Sequence, residues 1–206
     1  MDGALAFLGA GLVLGLAAGL SPGPMLAMVI TQTLRHGPGE GMRVAFAPLI
    51  SDVPIILVTT YLLTQVADHG PILGVVSLAG GVLVAYLAYE SLRTRGLEIR
   101  PDPVAPRSLA TGVLVNTLNP HPYLFWLTVG APTVIQGLES GWLRPALYLG
   151  GFYLCLVGAK VVVALLAGHS RALLTGRAYV YTMRGLGVLL LAYSIALLMD
   201  GTDRLT

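Results

Sequence analysis

Lysine and cysteine each occur once in this chain of 206 residues, as Lys160 and Cys155. A single cysteine excludes an intrachain disulfide, a cysteine metal cluster and intramolecular thiol–disulfide exchange. Charge of either sign is scarce. Asp, Glu, Lys and Arg make up 11% of the residues, against about 25% in an ordinary soluble domain. A net charge of +2 is too small to suggest a nucleic-acid partner. The basic stretch that opens a secretory leader is also missing, since the second residue is Asp2 and the apolar run continues past Pro22 and Pro24 to Leu34. The beginning of the chain therefore reads as a retained span, not a cleaved leader.

What fills the chain instead is apolar: 55% of residues are hydrophobic and the mean hydropathy is +0.79. A helix needs about 20 apolar residues to cross the hydrocarbon core of a bilayer. Six segments meet that need, 4–34, 44–66, 71–92, 108–136, 145–168 and 179–199. The expectation is an all-α integral membrane protein with six transmembrane helices. The first and fourth segments are over-long and are broken by "SPGP" at 21–24 and "NPHP" at 119–122. Arg184 falls inside the sixth and would have to snorkel.

Orientation follows from the arginines. Arg35, Arg43, Arg93, Arg95, Arg100, Arg107, Arg171, Arg177 and Arg184 fall in loops 1–2, 3–4 and 5–6, against Arg144 and Arg204 on the other side. Those three loops are predicted to face the cytoplasm, with both termini outside, in a multi-pass protein of the cell (inner or plasma) membrane. The proline-rich, charged stretch "RTRGLEIRPDPVAPR" at 93–107 reads as a linker. This divides the chain into a three-helix unit at 1–98, a cytoplasmic linker at 99–107 and a second three-helix unit at 108–206.

The two units resemble one another. "LSPGPML" (20–26) overlays "LNPHPYL" (118–124) at an offset of 98, and "GVL" recurs at 81–83 and 187–189. Three spans per unit is an odd number, so the units insert with opposite orientation. Inverted repeats with broken helices are a recurring transporter architecture. Packing kinks without a ligand are the alternative, because membrane helices tolerate proline.

The breaks carry chemistry. Pro22, Pro24, Pro120 and Pro122 lack a backbone N–H, so carbonyls near Ala18, Leu20, Asn116 and Leu118 lose their helical partners. In lipid these must be satisfied by protein, water or a ligand. Each break lies roughly 16 Å from the cytoplasmic end of its span, near mid-membrane. Asp52, in "LISDVPII", lies about 12 Å inside the second span, where a carboxylate costs at least about 2.5 kcal/mol. Lys160, in "FYLCLVGAKVVVALLAG", falls at about the same depth of the fifth span. The two charges are expected to offset each other or to share a water-filled cavity; a structural ion pair and a snorkelling lysine are the plainer readings.

His121, inside the second break, suits proton transfer near neutral pH or bonding to a freed carbonyl. Asn116, Asn119, Ser21, Ser51 and Thr117 are candidate ligands for a polar substrate, or local caps. Glu90 and Arg93 read as an exposed edge pair, and Tyr123, Phe125 and Trp126 as packing. Gly11, Gly15 and Gly19 share one helix face, which suits either internal packing or a homodimer.

The sequence resembles the LysE/RhtB family of amino-acid exporters over nearly its whole length. The most specific stretches are "GLSPGP", Asp52 with its irregular surroundings, "AGGVLVAYLAYESLR" (79–93) and "LNPHPYLFWL" (118–127). The resemblance implies six spans in two inverted three-helix units that move small solutes outward with proton or gradient coupling. It also matches Pro22, Gly23 and Pro24 to the family's PGP signature, Asn119 and Pro120 to its NP signature, and Asp52 to its membrane aspartate. Met25 stands where an Asn is usual, and His121 where a Lys is usual, so Lys160 is a candidate replacement for the missing cation.

The reading is a non-enzymatic exporter of a small polar solute, an amino acid or derivative, with no cofactor and no resident metal. Its substrate and coupling residues are Asp52, Lys160, Asn116, Asn119, His121 and Ser21, and its helix breaks are Pro22, Gly23, Pro24, Pro120 and Pro122. Its partners are the solute and the bilayer. The alternatives are a metal-ion or cation exporter of the same superfamily, an accessory protein for envelope lipid export, and an intramembrane enzyme built on Ser51 and Lys160.

Overall fold

The computed structural model describes residues 2–65, 70–93, 108–169 and 177–205, and these are helical apart from short turns. The expected linker at 99–107 lies outside the described residues. In chain order the helices are α1 (Asp2–Leu20), α2 (Pro24–His36), α3 (Pro38–Ala45), α4 (Pro48–Thr64), α5 (Gly70–Arg93), α6 (Ser108–Leu118), α7 (Pro120–Phe125), a π-helical turn (Trp126–Gly130), α8 (Ala131–Leu138), α9 (Leu143–His169) and α10 (Arg177–Asp203).

Among the described residues, five stretches are long and apolar enough to cross a membrane: Gly3–Leu20, Pro38–Thr64, Gly74–Arg93, Leu143–His169 and Arg184–Asp203. The remaining expected segment, 108–136, is a succession of α6, α7, the π-turn and α8. Arg184 is exposed and begins the last of the five stretches.

Proline sets most of the boundaries. Pro24, Pro38, Pro48 and Pro120 each stand in the first turn of a helix, where a missing N–H costs nothing. The turn from α2 into α3 passes through Gly37 at φ 93°, ψ 166°. That region is essentially closed to residues with a Cβ, at a cost of about 1–3 kcal/mol. Gly37→Ala is therefore expected to lower thermal stability in detergent by about that amount. Gly39→Ala, at a normal φ with open space around it, is expected to be near neutral. Equal melting of the two variants would contradict this account.

In lipid, apolar helices gain little by meeting each other, and close packing through small residues does the work. Here the glycines do it. A Cβ at Gly11 would overlap the backbone of Tyr148, at Gly15 that of Phe152, and at Gly19 the side chain of Ala159. Both series climb together, so α1 and α9 run parallel. The glycine face is thus used within the chain. Gly81 packs on Leu198, Gly187 on Leu92 and Ala88, and Ser194 donates to the Gly81 carbonyl at 2.8 Å. That order makes α5 and α10 antiparallel. Gly112 sits against Ala47 and Val44, and Asn116 reaches Ser51 and Asp52, so α6 runs parallel to α3 and α4.

The outer surface is apolar. In α4 the buried positions are Pro48, Ser51, Asp52, Ile55, Thr59 and Leu63, while Leu57, Val58, Tyr61 and Leu62 are exposed. Ser51, Thr59 and the Asp52 carboxylate point inward while Leu57, Val58 and Leu62 point outward. This is the reverse of a helix built for water and fits one facing hydrocarbon.

Candidate functional site

Asp52 lies in the second turn of α4 and is 4% exposed. Each of its carboxylate oxygens accepts a hydrogen bond. Asn116 Nδ2 donates to Oδ1 at 2.7 Å and to Ser51 Oγ at 2.7 Å, using both amide hydrogens. The Tyr153 hydroxyl donates to Oδ2 at 3.0 Å. Ser51 in turn donates to the Ala47 carbonyl at 3.1 Å. A buried carboxylate is tolerable only with such donors around it.

Lys160 is 3% exposed, and its Nζ donates to the Ala18 carbonyl at 3.2 Å. It lies on α9 two helical turns beyond Tyr153, so both side chains face the same side of that helix. Lys160 and Asp52 both line one cavity of about 340 Å³ and form no ion pair with each other.

The same cavity is lined by Ser21, Pro22, Gly23 and Pro24 from the first interruption and by Asn116, Asn119, His121 and Pro122 around the second. α1 ends at Leu20, and Gly23 is extended before α2 begins. Asn119 separates α6 from α7 and caps the latter, its side chain accepting from the His121 N–H at 3.1 Å. The His121 ring is exposed and sits 6.5 Å from the Tyr86 ring. Ser21 uses its own N–H locally, to the Ala17 carbonyl at 2.9 Å. Thr117 is exposed, and its carbonyl accepts from the Tyr123 hydroxyl at 2.9 Å.

Three functional candidates escaped the sequence reading. Tyr153 bonds the carboxylate directly; the signal for it was its place seven residues before Lys160. Glu90 is half-buried and lines the cavity, accepting from the Tyr86 hydroxyl at 3.1 Å, while Arg93 bonds and overlies Tyr89. The edge-pair reading is corrected accordingly. Leu87 and Ser91 line the cavity from the same helix, so α5 turns this side inward. Trp126, read as packing, is 1% exposed and contributes to the cavity wall. Its indole occupies the space a Cβ at Gly130 would need. The π-turn begins at this residue, and such bulges recur at functional sites. Phe125, Trp126, Phe152 and Tyr153 form one ring cluster, with Phe125 stacked on Phe152 at 5.2 Å.

An apolar multi-pass bundle that gathers a carboxylate, an amine and two proline-containing helix junctions around an internal cavity has the organisation of a membrane transport protein. A family model described as LysE type translocator matches residues 16–201. The chain belongs to this family and is a membrane exporter. No curated protein and no solved structure matches it.

Proposed function

We propose that the chain exports a small polar solute, an amino acid or a close derivative, by proton-coupled alternating access across the cell membrane. The observation that carries this reading is the cavity with both charges in its wall. Asp52 suits an ammonium group or a coupling proton, and Lys160 with the adjoining helix ends suits a carboxylate. At about 340 Å³ the space lies at the small end of ligand sites, which span about 300–1,000 Å³. An ammonium in the wall repels a metal ion, which favours a zwitterionic solute over the cation-exporter alternative.

The packing supports six spans in two inverted units. In that scheme 4–34, 44–66 and 71–92 exchange with 108–136, 145–168 and 179–199. The parallel contact of α1 with α9 then exchanges with the parallel contact of α6 with α3 and α4. The antiparallel α5–α10 contact maps onto itself, with Gly81 and Gly187 of the repeated "GVL" on its two sides. The arginine-rich ends are read as cytoplasmic.

The test is counterflow in proteoliposomes with a panel of labelled amino acids, with and without a pH gradient. Saturable exchange of one class, accelerated by the gradient, is the expected result. Absence of exchange for every member by correctly folded protein would reject the reading. Within it, Glu90 adds negative charge at the α5 side of the cavity. Glu90→Gln is expected to raise KM for an ammonium-bearing solute about two- to fivefold, the effect of a partly solvated charge, with melting temperature as the control for folding. An unaltered KM would remove Glu90 from the site.

A further inference from the structure

The two interruptions dispose of their freed carbonyls differently, and Lys160 accounts for the difference. In a continuous helix the Ala18 carbonyl would accept from residue 22 and the Asn116 carbonyl from residue 120. Both positions are proline, so both carbonyls lose that donor. At the second interruption the backbone repairs itself, because the Asn119 N–H turns back to the Asn116 carbonyl at 3.2 Å. At the first, the corresponding N–H, that of Ser21, is spent on the Ala17 carbonyl at 2.9 Å. The donor that reaches Ala18 comes from another helix: Lys160 Nζ at 3.2 Å. Gly19, the next residue, lets α9 approach, since a Cβ there would lie 2.8 Å from Ala159 Cβ.

We propose that Lys160 is the positioning residue of the first interruption, standing in for the N–H that Pro22 lacks and clasping the end of α1 to α9 at the cavity wall. An ammonium carries three N–H groups, so the clasp occupies one and leaves the others for the cavity. It also gives a physical reason for a lone lysine at this point of α9: an orphaned carbonyl in a lipid-embedded bundle needs a donor from protein, and a long side chain on the neighbouring helix supplies it. The clasp holds whether or not the cavity carries the solute proposed above.

The experiment is a double-mutant cycle on the full chain in detergent, using Lys160→Met, Pro22→Ala and the two together, read by melting temperature and by hydrogen exchange of peptides covering residues 14–26. With Pro22 in place, Lys160→Met is expected to lower the melting temperature by about 5 °C, as for a buried acceptor left unpaired, and to speed exchange across the interruption. In the Pro22→Ala background the same change is expected to do neither, because the residue 22 N–H now serves Ala18. If Lys160→Met alone yields no folded protein, recovery of folded protein in the Pro22→Ala background supports the clasp. Equal losses in both backgrounds, or failure of Lys160→Met to fold in either, would overturn it. Failure of Pro22→Ala alone to fold would also count against it, since the interruption would then require the proline. None of these readouts uses flux, so the clasp can fail without the exporter reading failing, and the reverse.

Discussion

Asp52→Asn is expected to reduce solute flux by about ten- to a hundredfold while the protein remains folded. The reasoning starts from the donors. Asn116 and Tyr153 both present hydrogen to the carboxylate, at 2.7 and 3.0 Å. An asparagine offers one acceptor oxygen and turns an NH₂ group toward the other donor. A hydrogen bond to a charged group contributes about 1.5–3 kcal/mol, and each 1.4 kcal/mol is about tenfold in rate or affinity. The variant also carries no negative charge to face an ammonium or to take up a proton, so any stimulation of flux by a pH gradient should vanish with it. Proteoliposomes matched for protein content, with melting temperature as the control for folding, make the comparison. Undiminished, gradient-stimulated flux in Asp52→Asn would remove Asp52 from the mechanism.

The second large effect is structural. Gly15→Val is expected to prevent recovery of folded protein, because a Cβ at that position overlaps the Phe152 carbonyl and backbone. Neither partner is a flexible side-chain end that could move aside. Separating α1 from α9 would undo the contact that also carries Gly11, Gly19 and the Lys160–Ala18 bond. Over-packing and backbone displacement of this kind cost about 3 kcal/mol or more, a large share of a total stability of about 5–15 kcal/mol. Gly9→Val is the matched control, since nothing lies within 4 Å of a Cβ there. The yield of monodisperse protein in detergent decides the matter. Comparable yields for Gly9→Val and Gly15→Val would refute the close α1–α9 contact.

Much of the helical architecture could be read directly, because a bilayer allows few solutions: long uncharged runs must be helices, and prolines must fall at their starts or interrupt them. Asp52 and Lys160 were legible for the same reason, as charges in runs that otherwise exclude charge. Tyr153 and Trp126 were not. An aromatic residue in a membrane helix has no energetic signature until its neighbours are known, since the same side chain suits lipid, core or cavity. Glu90 was misread because Arg93 follows it at i+3, a spacing that suggests a surface pair, while the rotation of α5 that turns it toward the cavity depends on how α5 packs against α10.

Composition and spacing establish an apolar helical membrane chain with two proline-rich stretches and with Asp52 and Lys160 set deep in otherwise uncharged runs, because those features carry an energetic cost whatever the packing. Packing settles the rest: the glycine face of α1 is spent on α9, Asp52 and Lys160 line one cavity without an ion pair, and the lysine reaches the carbonyl of Ala18. The reason is that a one-dimensional pattern gives a residue's depth and the face of its helix, but not which other helix that face meets.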